Sequence, residues 1–273
     1  AEEAEILVTL GAQNALWLAS QILLSRGNTV VIENPSYPAL RDILKHSNCT
    51  VSLVEVDDQG MPPEFIPDQT NVIFSTPSHQ CPTKAKDLDA LIIEDDYEFE
   101  MSFLTPPSPS LKSLDQDGRV IYVGSFSKSL FPGLRLGYLV GSEPFIKEAR
   151  ALRANILRHP PGHIQRTAAY FLSLGHYDAM VKRLATTYKN RRAVMESAIH
   201  HYGLQIAGKG AHGGSSFWMR APSGTDTQNL AETLREKSTF IEPGQSFFSG
   251  KYKPTNYYRI CLLYTSDAAD DRS

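Results

Sequence analysis

An α/β fold, a mainly parallel mixed sheet with helices on both faces followed by a smaller α+β portion, is the class that this 273-residue chain predicts. Three observations carry that expectation. Short apolar runs recur with helical segments between them, and the runs are too continuous for strands with one wet face. After about residue 145 the pattern changes to long helices and then to a small mixed stretch, as a second, smaller domain would show.

Each element follows in order. The run Ile6–Leu10 reads as the first strand. From Ala12 to Arg26 the residues Ala15, Leu16, Ala19, Ile22 and Leu23 fall on one helical face, and Gly27 follows as a C-cap. Thr29–Glu33, Val51–Val54, Asn71–Ser75, Ala90–Glu94, Val120–Val123 and Leu136–Val140 read as further strands. Between Ser75 and Ala90 lie fourteen residues, Pro77 and Pro82 among them, where a parallel crossover needs a dozen or more and usually a full helix. Either the helix there is stunted or sequence has been lost after Thr83. Glu143–Leu157 and Gly162–Gly203 read as long helices, Ser216–Arg220 and Thr239–Ile241 as strands of the smaller domain, and Gly208–Gly214 as a loop. The expected division is 1–145 for the larger domain, with a shortened crossover near 83–90, and 146–260 for interdomain helices and the smaller one.

Composition narrows the function classes. With 41% hydrophobic and 21% charged residues the chain sits among ordinary globular proteins. A net charge of -3 argues against nucleic-acid binding by the whole surface. Basic residues outnumber acids locally from Lys147 to Arg192, spread at helical intervals, and a solvated helical face is expected to account for them. Cys49, Cys81 and Cys261 have no metal-ligand spacing and are too few to staple a fold of this size, so a reducing cytoplasm is expected. No apolar run is long enough to span a bilayer, and the start, Ala1–Glu5, is acidic where a signal peptide would be basic.

The residues that suggest chemistry stand at strand ends. Lys128 lies in the Ser/Gly-rich turn Gly124-Ser125-Phe126-Ser127-Lys128 directly after an apolar strand, with Arg135 seven residues on. An amine presented there can form a Schiff base with a carbonyl cofactor, although a surface lysine in a turn is the plain alternative. Gly11-Ala12-Gln13 hands a strand over to a helix, where free N–H groups and the helix dipole favour an anion. Tyr37, on the stiff Pro35-Ser36-Tyr37-Pro38 loop, presents a ring that could stack on a heteroaromatic ligand. Glu94-Asp95-Asp96 ends an apolar strand, where three acids are costly unless at least one is paired, and Tyr97 follows. Arg259, in a strand-like segment, could clamp a carboxylate.

In this order the motifs resemble the fold-type-I aminotransferases that use pyridoxal phosphate (PLP). The nearest likeness is to the class I/II aminotransferase domain of MocR-type regulators of the GntR superfamily, through Thr76-Pro77-Ser78-His79-Gln80, Ile92-Ile93-Glu94-Asp95-Asp96-Tyr97 and Ser125-Phe126-Ser127-Lys128. The resemblance implies a fold-type-I large domain with a smaller α+β domain, and a cofactor held by Lys128 as an aldimine. It implies that Asp95 keeps the pyridine nitrogen protonated, that Tyr97 with His79 or Gln80 contacts the phenolic oxygen, and that Tyr37 stacks on the ring. The phosphate falls to Gly11, Ala12, Gln13, Ser125, Ser127 and Arg135, and the substrate carboxylate to Arg259. The freed Lys128 amine would move a proton from the substrate α-carbon, in one of two half-reactions of amino-group transfer.

The chain departs from that pattern at its start, at the crossover after Thr83, and at 261–273, which look like non-native sequence after a fragment. Two functions remain open at this level. One is the effector-sensing domain of a regulator, taking an amino acid or amine and reaching DNA only through an N-terminal domain absent from this sequence. The other is a stand-alone amino-acid aminotransferase. The resemblance implies a homodimer for both.

Overall fold

The structure, a computed structural model, describes residues 2–57, 60–76, 87–97, 100, 103–104, 109–208, 214–251 and 253–262. The backbone divides into two compact units, Ala1–Phe99 with Ser108–Met180, and Glu100–Pro107 with Val181–Ser273.

The first unit is built on a seven-stranded sheet in the order β1-β7-β6-β5-β4-β2-β3. The strands are β1 (Ile6–Thr9), β2 (Thr29–Asn34), β3 (Thr50–Glu55), β4 (Val72–Ser75), β5 (Leu91–Asp96), β6 (Val120–Ser125) and β7 (Gly137–Val140). Pairs β3·β2, β2·β4, β4·β5 and β5·β6 are parallel. Strand β7 runs antiparallel to both its neighbours, so β1 points the same way as the parallel strands. The mainly parallel mixed sheet expected from the apolar runs is present.

Alternation along each strand divides the core between the two faces of the sheet. Val30, Ile32, Val72, Phe74, Ile93, Ile121 and Val123 pack on one side, with α1 (Ala12–Leu23), α2 (Pro38–Lys45) and the Phe145, Ile146 and Ala149 face of α4 (Glu143–Leu157). Val31, Ile73, Ile92 and Val120 pack on the other with Met61, Ile66 and Leu111, the last from the short α3 (Leu111–Leu114). Two buried faces explain why these strands read as unbroken apolar runs.

Several boundaries differ from the expectation. Helix α1 stops at Leu23, short of Arg26, and Leu24 rather than Gly27 follows it as C-cap. The Ser25 N–H and hydroxyl both donate to Asn28 Oδ1, at 2.6 and 2.8 Å, and that local bond competes with a further helical turn. The single helix expected over 162–203 is two, α5 (Gly162–Ser173) and α6 (His176–His201), because Gly175 adopts φ +73 between them.

In the second unit, β8 (Gln205–Ile206), β9 (Ser216–Arg220), β10 (Glu242–Pro243) and β11 (Tyr257–Cys261) form an antiparallel sheet in the order β10-β11-β9-β8. The expected strand at Thr239–Ile241 lies at Glu242–Pro243 instead. The reason is that the Thr239 N–H still closes the end of α7 (Thr227–Glu236) on the Leu234 carbonyl, and pairing with β11 starts only at Glu242. Phe217, Met219, Tyr258, Ile199 and Tyr188 form the core of this unit.

The basic run is not simply a solvated face. Arg192 is buried, its guanidinium 4.2 Å from the centre of the Phe217 ring, with Nε donating to Glu196 at 2.8 Å. Arg153 donates to the Val8 carbonyl at 2.6 Å. Helix-periodic arginines therefore also act as packing groups and as donors to the edge strand β1. The crossover anomaly (77–86), most of the loop at 208–214 and nearly all of the tail at 261–273 lie outside the described residues.

Candidate functional site

Parallel strands end together, so the turns that follow them share one edge of the sheet. Gly11 and Tyr37 follow β1 and β2 at that edge, Asp95 lies at the end of β5 with Tyr97 just after it, and Ser125 ends β6 with Lys128 in the turn beyond. The antiparallel β7 starts there, which brings Arg135 to the same edge. Register fixes the line: Gly137 stands opposite Thr9 on one side and opposite Ser125 on the other.

Gly11 is the N-cap of α1, at φ +80 and ψ 173, and no side chain caps the helix there. The Gly11 carbonyl accepts from the Thr9 hydroxyl at 3.0 Å and from the Ala15 N–H at 3.3 Å, leaving the Ala12 and Gln13 amides in the first turn, at the positive end of the dipole. The Arg135 guanidinium closes over this turn. A Cβ on Gly11 would meet Arg135 Nη2 at 3.3 Å. Arg135 itself is exposed, at φ +46, and is held by its buried neighbours Leu134 and Leu136. Beside it, buried Ser125 accepts the Ser127 N–H on its Oγ at 3.2 Å, which folds the start of the Lys128 turn. Helix amides, two hydroxyls and a guanidinium make a set suited to a phosphate.

The three acids at the end of β5 are dealt to different partners. Glu94, fully buried, accepts the N–H groups of Leu111 and Lys112 at 2.7 and 2.9 Å and so caps α3. Asp96 accepts the Tyr122 hydroxyl at 3.1 Å. Asp95 is different: its Oδ1 is buried and accepts no hydrogen bond among the described residues. Burial, then the like charges of Asp96 and Glu33, pushes its carboxyl up to about 7. An orphaned buried acceptor of this kind is costly unless a donor meets it. A protonated ring nitrogen is such a donor, and the chemistry of both ends of this site fits PLP.

Glu33 was legible only as the last residue of an apolar strand. It is buried, accepts from Ser75 Oγ at 2.9 Å, from the Thr76 N–H at 3.1 Å and from the Thr76 hydroxyl, and burial raises its carboxyl to about 7 despite those bonds. An acid closing such a run is the signal that could have marked it.

Tyr37 is 43% exposed and is the N-cap residue of α2. Tyr97 follows β5 in a turn and is half-buried. Lys128 is half-buried within the turn at 127–130. His79 and Gln80 lie outside the described residues. Arg259 belongs to the second unit, opposite Glu242 in the β10·β11 register, and is ion-paired with it, Nε at 2.7 Å and Nη2 at 2.5 Å from Oε2. Its guanidinium also lies 5.1 Å from the Phe247 ring centre.

Comparison with known proteins adds to this geometry. Residues 97–271 match the sequence model described as aminotransferase class I and II. The HTH-type transcriptional regulator TauR of Rhodobacter capsulatus is 52% identical over 97% of this chain, which spans 58% of that protein. The HTH-type pyridoxine biosynthesis transcriptional regulator PdxR of Corynebacterium glutamicum is 32% identical over 72% of this chain, which matches 46% of it. The crystal structure of Pyrococcus horikoshii kynurenine aminotransferase, solved with PMP, is 26% identical with a TM-score of 0.86, covering 96% of this chain and 70% of that one. The chain thus spans about half the length of these curated regulators.

Proposed function

Because the chain belongs to the aminotransferase class I and II family, we propose that it is the PLP-binding, effector-sensing part of a MocR/GntR-type transcription regulator. The observation that carries the cofactor reading is the buried Asp95 Oδ1 with no partner among the described residues. The 52% identity to TauR supports the regulator over a stand-alone amino-acid aminotransferase, which the likeness to kynurenine aminotransferase keeps as the second reading.

In this proposal Lys128 holds the cofactor covalently through Nζ. Asp95 Oδ1 accepts the N–H of the protonated ring nitrogen, which offsets the cost of its burial. The Ala12 and Gln13 amides beside Gly11, with Ser125, Ser127 and Arg135, take the phosphate. Tyr37 covers the ring, and Tyr97, with His79 or Gln80, donates to the phenolic oxygen. PLP supplies an electron sink when bound. In its neutral amine form the Lys128 Nζ would be the base that takes the proton from the α-carbon of an incoming amino acid or amine. Arg259 fixes its carboxylate, which must then compete with Glu242 for the guanidinium.

In the proposed organisation residues 1–145 carry the cofactor site and 146–260 the linking helices and the smaller domain. The partners proposed are a second copy of the chain and, through a domain N-terminal to it, DNA. A cytoplasmic location goes with that role; among the described residues no helix is long and apolar enough to cross a membrane.

The test is to add PLP to the purified protein, reduce with borohydride and map the modified peptide. An adduct on Lys128, lost in Lys128→Ala, supports the reading. An adduct elsewhere, or none with folded protein, overturns it. If amino-group transfer is unchanged in Lys128→Ala, the proposed base is wrong.

A further inference from the structure

The turn that carries Lys128 is anchored from a helix much later in the chain. Its backbone closes with the Leu130 N–H donating to the Phe126 carbonyl at 2.8 Å. Phe126 and Leu130 pack with Leu134, Leu136, Ile164 and Ala168, the last two from α5. Between them Ser129, next to Lys128, is fully buried, and the Tyr177 hydroxyl donates to its Oγ at 2.8 Å. The Tyr177 ring also meets Phe126 edge-on, with centroids 5.8 Å apart. Tyr177 is the second residue of α6, placed by the Gly175 turn that ends α5.

We propose that Tyr177 is a positioning residue for Lys128. Through Ser129 and Phe126 it grips the turn on both sides of the lysine, so that the peptide units flanking Lys128 cannot rotate freely. A backbone already fixed loses less freedom when the Lys128 amine becomes bonded, and attachment is favoured by that difference. The inference rests on the reading that Lys128 is the residue that holds the cofactor. Tyr177 touches neither the cofactor nor the reacting atoms in this account.

The experiment uses the full chain loaded with PLP, and compares wild type with Tyr177→Phe, Ser129→Ala and the double variant at temperatures where each is folded. Two quantities are read: the rate at which the cofactor leaves, by absorbance, and the rate at which borohydride traps it on Lys128. Losing one buried hydrogen bond should speed cofactor loss about two- to tenfold in either single variant. The double variant should add little, because both changes remove the same bond. A purely structural Tyr177 would lower the melting temperature and leave both rates at their wild-type values, and that result overturns the proposal. Effects that add independently overturn it too. If Tyr177→Phe does not fold, Ser129→Ala carries the same test from the other partner. Absence of a Lys128 adduct in wild type overturns the functional reading and this proposal together; a Lys128 adduct lost at the same rate in the variants overturns this proposal alone.

Discussion

Replacing Asp95 by Asn should stabilise the cofactor-free protein at neutral pH while weakening its response to PLP. Asp95 is 8% exposed, and its carboxyl is raised from 3.8 to about 7 by burial and by the charges of Asp96 and Glu33. The unfolded chain therefore gives up this proton near pH 3.8, and the folded chain keeps it until about pH 7. Between those values the folded state binds more protons, so stability falls as pH rises, and the loss is complete above about 7. At about 1.4 kcal/mol per pH unit, that climb is worth on the order of 4 kcal/mol, an upper figure because an Asn amide would also be buried. The assay is denaturant unfolding of cofactor-free wild type and Asp95→Asn at about pH 4 and about pH 8. Wild type should lose stability towards the higher pH, and the variant should lose less, with Glu33 supplying the remaining slope. Added PLP should then stabilise wild type more than the variant at the higher pH, since only the carboxylate meets a protonated nitrogen with opposite charge. A cofactor-free wild type as stable as Asp95→Asn at about pH 8, with no fall from about pH 4, would refute the burial argument.

Three further outcomes follow from individual contacts. Gly11→Ala places a side chain at φ +80 and 3.3 Å from Arg135 Nη2. It should cost about 1 kcal/mol in unfolding experiments and weaken PLP binding measured by titration, because the guanidinium must shift. Glu94→Gln replaces a buried carboxylate that accepts two α3 amides with a group that has one acceptor oxygen, and should cost about 1–2 kcal/mol by chemical denaturation. Arg192→Ala removes a buried cation from the Phe217 face and its bond to Glu196, and should cost about 2 kcal/mol, read as a lower melting temperature.

Much of the site was legible because its residues sit at strand ends, and strand ends are marked locally. An apolar run that stops at Gly11, at Asp95 or at Ser125 shows both the strand and the turn. The acids of β5 show where that legibility stops. Sequence says that three adjacent carboxylates need partners; it does not say that Glu94 caps α3, that Asp96 takes Tyr122, or that Asp95 Oδ1 accepts nothing among the described residues. Glu33 was missed for the same reason, since its bonds go to Ser75 at the end of the neighbouring β4 and to Thr76 just beyond it. The basic run was misread where burial of Arg192 depends on Phe217 from the sheet of the second unit.

By itself, then, the sequence determined the α/β class, the seven strands of the larger sheet and the chemical groups offered at their ends, because each depends on residues close together in the chain. The tertiary structure alone decided the strand order. That order lays β7 between β1 and β6, brings Arg135 over Gly11 and sets Gly137 between Thr9 and Ser125. It alone also set Tyr177 against the Lys128 turn, a bond made between residues of different elements. Such pairings are fixed by packing and register between distant segments, and no local periodicity encodes them.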